Sequence, residues 1–313
     1  MQLFKILFIL FIIIGCAKKP SELNAEAIDI ALTHLSNEEC DEAIKILVEV
    51  EGEGDNPVYL QVLASAYACK ANFNEINFLE DDLATLTTTS AVTIMTSLTK
   101  MTMSSESEAD SDKYSSILKG INILLASTTG TPGQLARNQK FGSRRGAYLG
   151  TQALLLELVN LGKFLNFYGN VNTAGSKGQG SNTNSCFINY TDSDAVNLIN
   201  SGIGGVCNSI SDGHPDLDLN TANGIRRACE GVVMVANIID IIDNLELSES
   251  TDLKILEDFS TQISLLLDFA ENAGLDTFIE MRSQSDCETA MNTPSNVEDL
   301  QHYYALIFEK GLQ

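Results

Sequence analysis

The chain has 313 residues, 44% hydrophobic and 19% charged, with 42 Asp and Glu against 19 Lys and Arg and a net charge of −23. That balance excludes a nucleic-acid partner held through its phosphates, which needs clustered Lys and Arg. It also disfavours a body lying flat on anionic lipid, while the length suffices for one large domain or two small ones.

Lys5 precedes an unbroken apolar run, Ile6 to Ile14. The run is too short to cross a bilayer, which takes roughly 20 apolar residues, and residues 1–15 read as an export signal outside the folded body. The run closes on Ile13-Ile14-Gly15-Cys16, which resembles the lipobox of bacterial lipoproteins, with Ile13 where that family usually has Leu. The resemblance implies cleavage before Cys16 and its lipidation, with palmitate among the acyl chains. Each buried CH₂ then contributes about 0.8 kcal/mol to membrane attachment. Ala17 in place of Asp implies sorting to the outer membrane, facing the periplasm. Removing Lys5 leaves 18 basic residues against 42 acidic, so acyl chains must supply the attachment.

Residues 16–22 read as a tether, and 23–104 as the first structural region. Apolar residues there recur at three and four, as in Ile28, Leu32 and Leu35, then Ala43, Ile44 and Leu47. Ala31, His34, Cys40 and Ala43 match Ala64, Tyr67, Phe73 and Ile76 at a constant offset of 33. This resembles the tetratricopeptide repeat, whose period is 34. Asp41-Glu42-Ala43-Ile44 looks like the start of a repeat's second helix, and Pro57 sits near the closing proline. The family's Gly before the second helix is replaced by Glu38 and Ala71, Cys40 takes a usual Tyr or Phe position, and 51–55 reads as a short insertion. The resemblance implies antiparallel helix pairs, and it places Cys40 and Cys69 at adjacent helix ends, where a disulfide is sterically reasonable.

A helix is expected from Ser90 to Met103, with Met95, Met101 and Met103 packing rather than lining a binding surface, and then a polar connection over 104–112. The second region, 113–313, opens with an amphipathic helix from Tyr114 to Ala126, stopped by the turn at Thr129–Gly133. Arg144-Arg145 stands out in so acidic a chain and reads either as local charge pairing or as a site for an anionic ligand or partner. A helix from Gly146 to Tyr168 is apolar almost all round and should be buried. Gly169–Asn184 has almost no apolar residue and reads as a long surface loop. A short helix near Asp192–Asn200 comes after it, then a second buried helix from Thr221 to Leu245 interrupted by Asn237 and Asp240. An amphipathic helix is expected over Ser250–Ala270 and a last one over Val297–Glu309. The chain shows no convincing strand pattern, so the fold class is all-α: a tetratricopeptide-like stack of antiparallel helix pairs continuing into a helical bundle.

Besides Cys16, the cysteines are Cys40, Cys69, Cys186, Cys207, Cys229 and Cys287. An even number beyond the cytoplasm reads as a disulfide framework. The last four allow three connectivities, of which 186–207 with 229–287 is favoured. No Cys pair has metal-binding spacing, and no metal or cofactor is expected. His34, His214 and His302 are scattered, and no hydrolase, phosphate-loop or dinucleotide motif occurs. His34 falls on a packing position. Asp212, Asp216, Asp218 and Asn220 alternate as Ca²⁺ ligands do, but Thr221 replaces the turn glycine and Arg227 the closing Glu, so they read as a solvated loop capping the next helix. The expectation is a non-enzymatic envelope lipoprotein docking a partner protein. The alternative is an accessory part of a periplasmic solute-uptake system for an apolar or organic-acid ligand, since the architecture is similar to the T component of tripartite periplasmic transporters.

Overall fold

The computed structural model describes residues 20–50, 54–83, 86, 90–101, 111–125, 132–203, 207, 209–245, 258, 260–265, 268, 271 and 275–312. The export signal and Cys16 lie outside the described residues, as do 13 of the 21 residues of the helix expected over Ser250–Ala270; residues 260–265 within it are helical.

Among the described residues the protein is all-α, with one isolated bridge between Cys186 and Gly213. The first three helices are α1 (Pro20–Ser36), α2 (Cys40–Glu49) and α3 (Pro57–Lys70). Helix α1 takes in residues 20–22, which the sequence pattern assigns to the tether; Pro20 fits a first helical position, where its missing N–H is no loss. Asn56 caps α3 by accepting from the Val58 and Tyr59 amides, and Pro57 again opens the helix. A disulfide joins Cys40, at the start of α2, to Cys69, at the end of α3, so these two helices run antiparallel. Ala31, Ala43 and Ala64 are fully buried where helices approach one another.

The repeat register shifts by one residue at the turns. Glu38 has φ +61° between α1 and α2, and the matching left-handed residue after α3 is Asn72 at +58°, not Ala71. Asn tolerates that conformation where Ala does not. The chain then forms a short helix, α4 (Glu75–Asn77), running into a wide π turn, Phe78–Asp82. Ile76, aligned with buried Ala43, is exposed there, while Phe78 is buried.

Helix α5 (Ala91–Thr99) starts on a reciprocal cap between Ser90 and Thr93 and ends four residues short of Met103. Met95 and Met101 are buried, as packing residues. Three further helices carry the middle of the core: α6 (Asp112–Leu125), α8 (Ser143–Tyr168) and α10 (Ala222–Asn244). Helix α7 (Gln134–Phe141) has no counterpart among the expected elements, because it buries Gln134 and Arg137 rather than an apolar stripe. It folds back on α8 at Gly142, φ +82°. Gly146 and Gly150 admit Asn138 and Gln134 so closely that any side chain there would collide. Further helices are α9 (Ser193–Leu198), α11 (Asp276–Ile279), α12 (Gln284–Ala290) and α13 (Pro294–Tyr303), which tails into a π segment, Tyr304–Glu309. One apolar core extends from Ile28 to Leu312, with α3 packed on α6, α6 on α8 and α8 on α10.

The segment 169–184 is a loop that lies on the surface only in part: Thr173, Ala174, Gln179, Ser181 and Thr183 are exposed, while Asn170, Lys177 and Asn184 are buried. Asn170 donates to the Asn182 and Asn184 carbonyls and accepts from the Asn182 amide. Asn184 donates to the Tyr168 and Cys186 carbonyls. These amides stand in for the backbone partners that a buried loop lacks. Inside it, fully buried Lys177 pairs with Glu309, whose other oxygen accepts from the Phe187 amide at 2.7 Å and the Tyr190 hydroxyl at 2.9 Å.

Among the described residues no helix is long and apolar enough to cross a membrane.

Candidate functional site

Helices α6, α8 and α10, with the segment entering α12, enclose a cleft of about 470 Å³. Disulfide Cys229–Cys287 ties α10 to α12 beside it. Asn237 and Asp240, the two interruptions in the apolar run of α10, hold the same segment. Asn237 donates to the Arg282 carbonyl, and Asp240 pairs with the Arg282 guanidinium and accepts from the Gln134 amide. Leu118, Ile121 and Leu125 form one wall and Val233 and Met234 another.

Two buried groups of the cleft lining lack a partner among the described residues, the Glu157 carboxylate and the Nε of Arg282. Glu230 on α10 is buried but accepts from Arg226 at 2.6 Å, from Arg227 at 3.1 Å and from the Tyr114 hydroxyl at 3.2 Å. Burial still raises its carboxyl above the usual range, against the pull of both arginines. Glu157 on α8 is 1% exposed, and neither carboxylate oxygen has a hydrogen-bond partner among the described residues. Burial pushes its carboxyl well above the usual range, and Arg137 offsets this only in part. Arg137 is itself fully buried. Its Nε donates to Gln134 at 3.0 Å, its terminal nitrogens have no partner among the described residues, and burial pushes it down to about 10. An unsatisfied buried polar group costs about 1–3 kcal/mol, and more for a charge.

Sequence reasoning does not single out Glu157. Its signal is a carboxylate inside the run Ala153–Leu165, where every other position but Asn160, Gly162 and Lys163 is apolar.

A second, smaller groove of about 270 Å³ lies between α3 and α8. The helices are clamped there by Gln152, which donates to the Ser65 hydroxyl at 2.8 Å. Its walls carry Val58 and Tyr148, 49% and 51% exposed, beside Arg144 and Arg145. Arg144 donates to the Tyr148 hydroxyl and lies over its ring. Neither arginine meets a carboxylate among the described residues, which leave out Glu51 and Glu53.

The other candidates resolve into local structure. His34 meets Glu39, His302 meets Asp192, and buried His214 lies against the Phe167 and Tyr168 rings. Burial lowers the His214 pKa. Asp212 accepts from Ser185, Asp216 lies by His214, and Asp218 turns the chain into the Thr221 cap of α10, so the acidic loop does not converge on a point. The six cysteines from Cys40 onward form three disulfides: 40–69, 186–207 and 229–287. The sulfurs of Cys186 and Cys207 approach the Glu309 carboxylate, but they are bonded to each other and offer no thiolate for a metal.

Comparison of the chain with protein-family models, with curated proteins and with solved structures finds no match.

Proposed function

We propose that this protein is an envelope lipoprotein, anchored through acyl chains on Cys16, whose helical body works by docking a partner protein and not by catalysis. The groove between α3 and α8 carries the proposal. In a chain of net charge −23 it sets two arginines, without carboxylate partners among the described residues, beside exposed Tyr148 and Val58. Aromatic and Arg side chains together are the composition that dominates docking surfaces. The partner that fits is an acidic segment carrying an apolar side chain. Three disulfides suit a body folded outside the cytoplasm, and the lipobox-like Ile13–Cys16 supports the anchor.

The test is a photo-crosslinking residue at position 148 in cells making the full chain. The expected result is one discrete adduct, lost in Arg144→Glu/Arg145→Glu and absent when the crosslinker replaces exposed Leu265 on another part of the surface. Equal labelling from both positions counts against the groove. Mass spectrometry of the membrane fraction tests the anchor: an unmodified Cys16 removes it.

A second reading, solute handling, is favoured by the cleft at Glu157. Its apolar walls and unmatched carboxylate have the form of a small-molecule site.

A further inference from the structure

Three buried acids of this protein can be compared directly. Glu309 is matched by Lys177, a tyrosine hydroxyl and an amide, and Glu230 by two arginines and a tyrosine hydroxyl. Glu157 has neither a bonded cation nor a donor among the described residues, and it alone of the three lies at a cavity wall without a bonded partner. Its neighbours on α8 are Leu154, Leu155, Leu156 and Leu158, so an apolar residue at 157 would suit the packing. The carboxyl stands there against the interest of the fold.

The charged and titratable groups around it narrow what can satisfy it. Arg137 faces it from α7 without forming an ion pair, and Tyr114 on α6 donates instead to Glu230. On α10, Arg226 is engaged by Glu230, and before α12, Arg282 is engaged by Asp240. Both arginines that line the cleft are therefore balanced in charge by bonded carboxylates, although Arg282 Nε has no partner among the described residues. The lining charge left without a counter-charge bonded to it is the Glu157 carboxylate.

We propose that this cleft binds an organic ammonium, a primary amine on an apolar body, with Glu157 as its counter-charge. The ammonium donates to the Glu157 oxygens, and the body lies between the α6 wall of Leu118, Ile121 and Leu125 and the α10 wall of Val233 and Met234. An organic acid would find no free cation on this wall, since Arg226 and Arg282 are bonded to Glu230 and Asp240. Burial favours the protonated form of the empty Glu157, and an incoming ammonium displaces the proton from that form. The neutral carboxylic acid and RNH₃⁺ become a carboxylate–ammonium pair, and H⁺ goes to the buffer. The proposal rests on the solute-handling reading.

Calorimetry on the oxidised, delipidated body tests it, with hexylammonium and phenethylammonium as probes and 1-hexanol and hexanoate as comparators. The expected result is that the amines bind with release of one proton, seen as a dependence of heat on the buffer's ionisation enthalpy. Below the pKa of Glu157 in the empty cleft, their affinity should rise about tenfold per pH unit. Glu157→Gln should abolish the proton release and weaken the amines by at least about tenfold, a loss of roughly 1.4 kcal/mol, while leaving hexanol unchanged. Glu157→Leu, whose packing suits the site, checks that the loss is not misfolding. If hexanol binds as well as the amines and Glu157→Gln changes neither, or if hexanoate binds best, the ammonium assignment falls and solute handling stands. If no probe binds, both fall.

Discussion

Glu157 and Lys177 are both ionisable groups taken out of water, and the protein treats them oppositely. Lys177 is matched: Glu309 faces it, and the Ser185 carbonyl accepts from its ammonium at 2.8 Å. Removing one member of such a buried pair leaves the other uncompensated, at about 3–5 kcal/mol. Lys177→Met should therefore destabilise by that amount in urea titration, and adding Glu309→Gln should restore part of it. A cost below about 1 kcal/mol would show the pair to be open to water. For Glu157 the sign is reversed. Its folded pKa lies above the reference value of 4.5, so the native state keeps a proton that the unfolded chain gives up. The stability this provides is complete below the unfolded pKa and is lost as pH rises toward the folded one. Glu157→Gln has no such proton to lose. It should be more stable than the parent near neutrality and lose that advantage in acid, as followed by urea unfolding at the two pH values. A parallel pH dependence in both proteins would mean that Glu157 is ionised in the fold.

At the scale of helices and loops, crosslinks and turn residues set the stability. Disulfide 229–287 closes the longest loop, with a sequence separation of 58. The chain-entropy relation assigns it about 4 kcal/mol, against roughly 3.5 for either of the shorter two. Replacing both cysteines by Ser should therefore cost the most of the three, and it should also loosen the cleft, because α12 is tied to α10 there. Glu38 occupies the left-handed turn between α1 and α2. Glu38→Gly should stabilise by about 1 kcal/mol, the cost that an L side chain carries in that region, read as a shift of the urea midpoint at constant slope. These elements differ in how far the sequence reveals them. Helices α6, α8 and α10 each bury a long apolar face, and periodicity places them within three residues of their ends. Helix α7 has a polar interior face held by Gly146 and Gly150 of its neighbour, so no periodicity marks it. The loop 169–184 is folded inward by Asn170 and Asn184, whose partners lie on backbone up to 16 residues away. Composition reads such amides as solvent-seeking. The cleft escapes sequence reasoning for a related cause: its floor is a single acid in a run of leucines, and only packing shows that nothing meets it.

Across the whole molecule the dominant electrostatic fact is self-repulsion. With 42 acidic residues and 19 basic ones, most surface carboxylates have no cation to face, and compaction brings them together. Added salt acts on two opposing sets. It weakens exposed pairs such as Lys70–Asp41 and Lys140–Asp55, each contributing about 0.2–1 kcal/mol at most. It also screens the many like-charge contacts, at a Debye length near 10 Å in 0.1 M salt. The excess of acids over bases decides the balance, since attractive pairs can involve no more acids than there are bases. Raising the salt from low to physiological concentration should therefore stabilise the body by an amount on the order of 1 kcal/mol, or about 1–2 °C in Tm for a chain of this size. Lys177–Glu309 is shielded from the ions, so the Lys177→Met variant should show the same salt increment as the parent. Scanning calorimetry of both proteins across a salt series measures this. A Tm that falls with salt would place the net stabilisation in surface ion pairs. The same repulsion bears on the proposed anchor: a body without acyl chains should not sediment with anionic vesicles at low salt, where a basic face would bind most strongly.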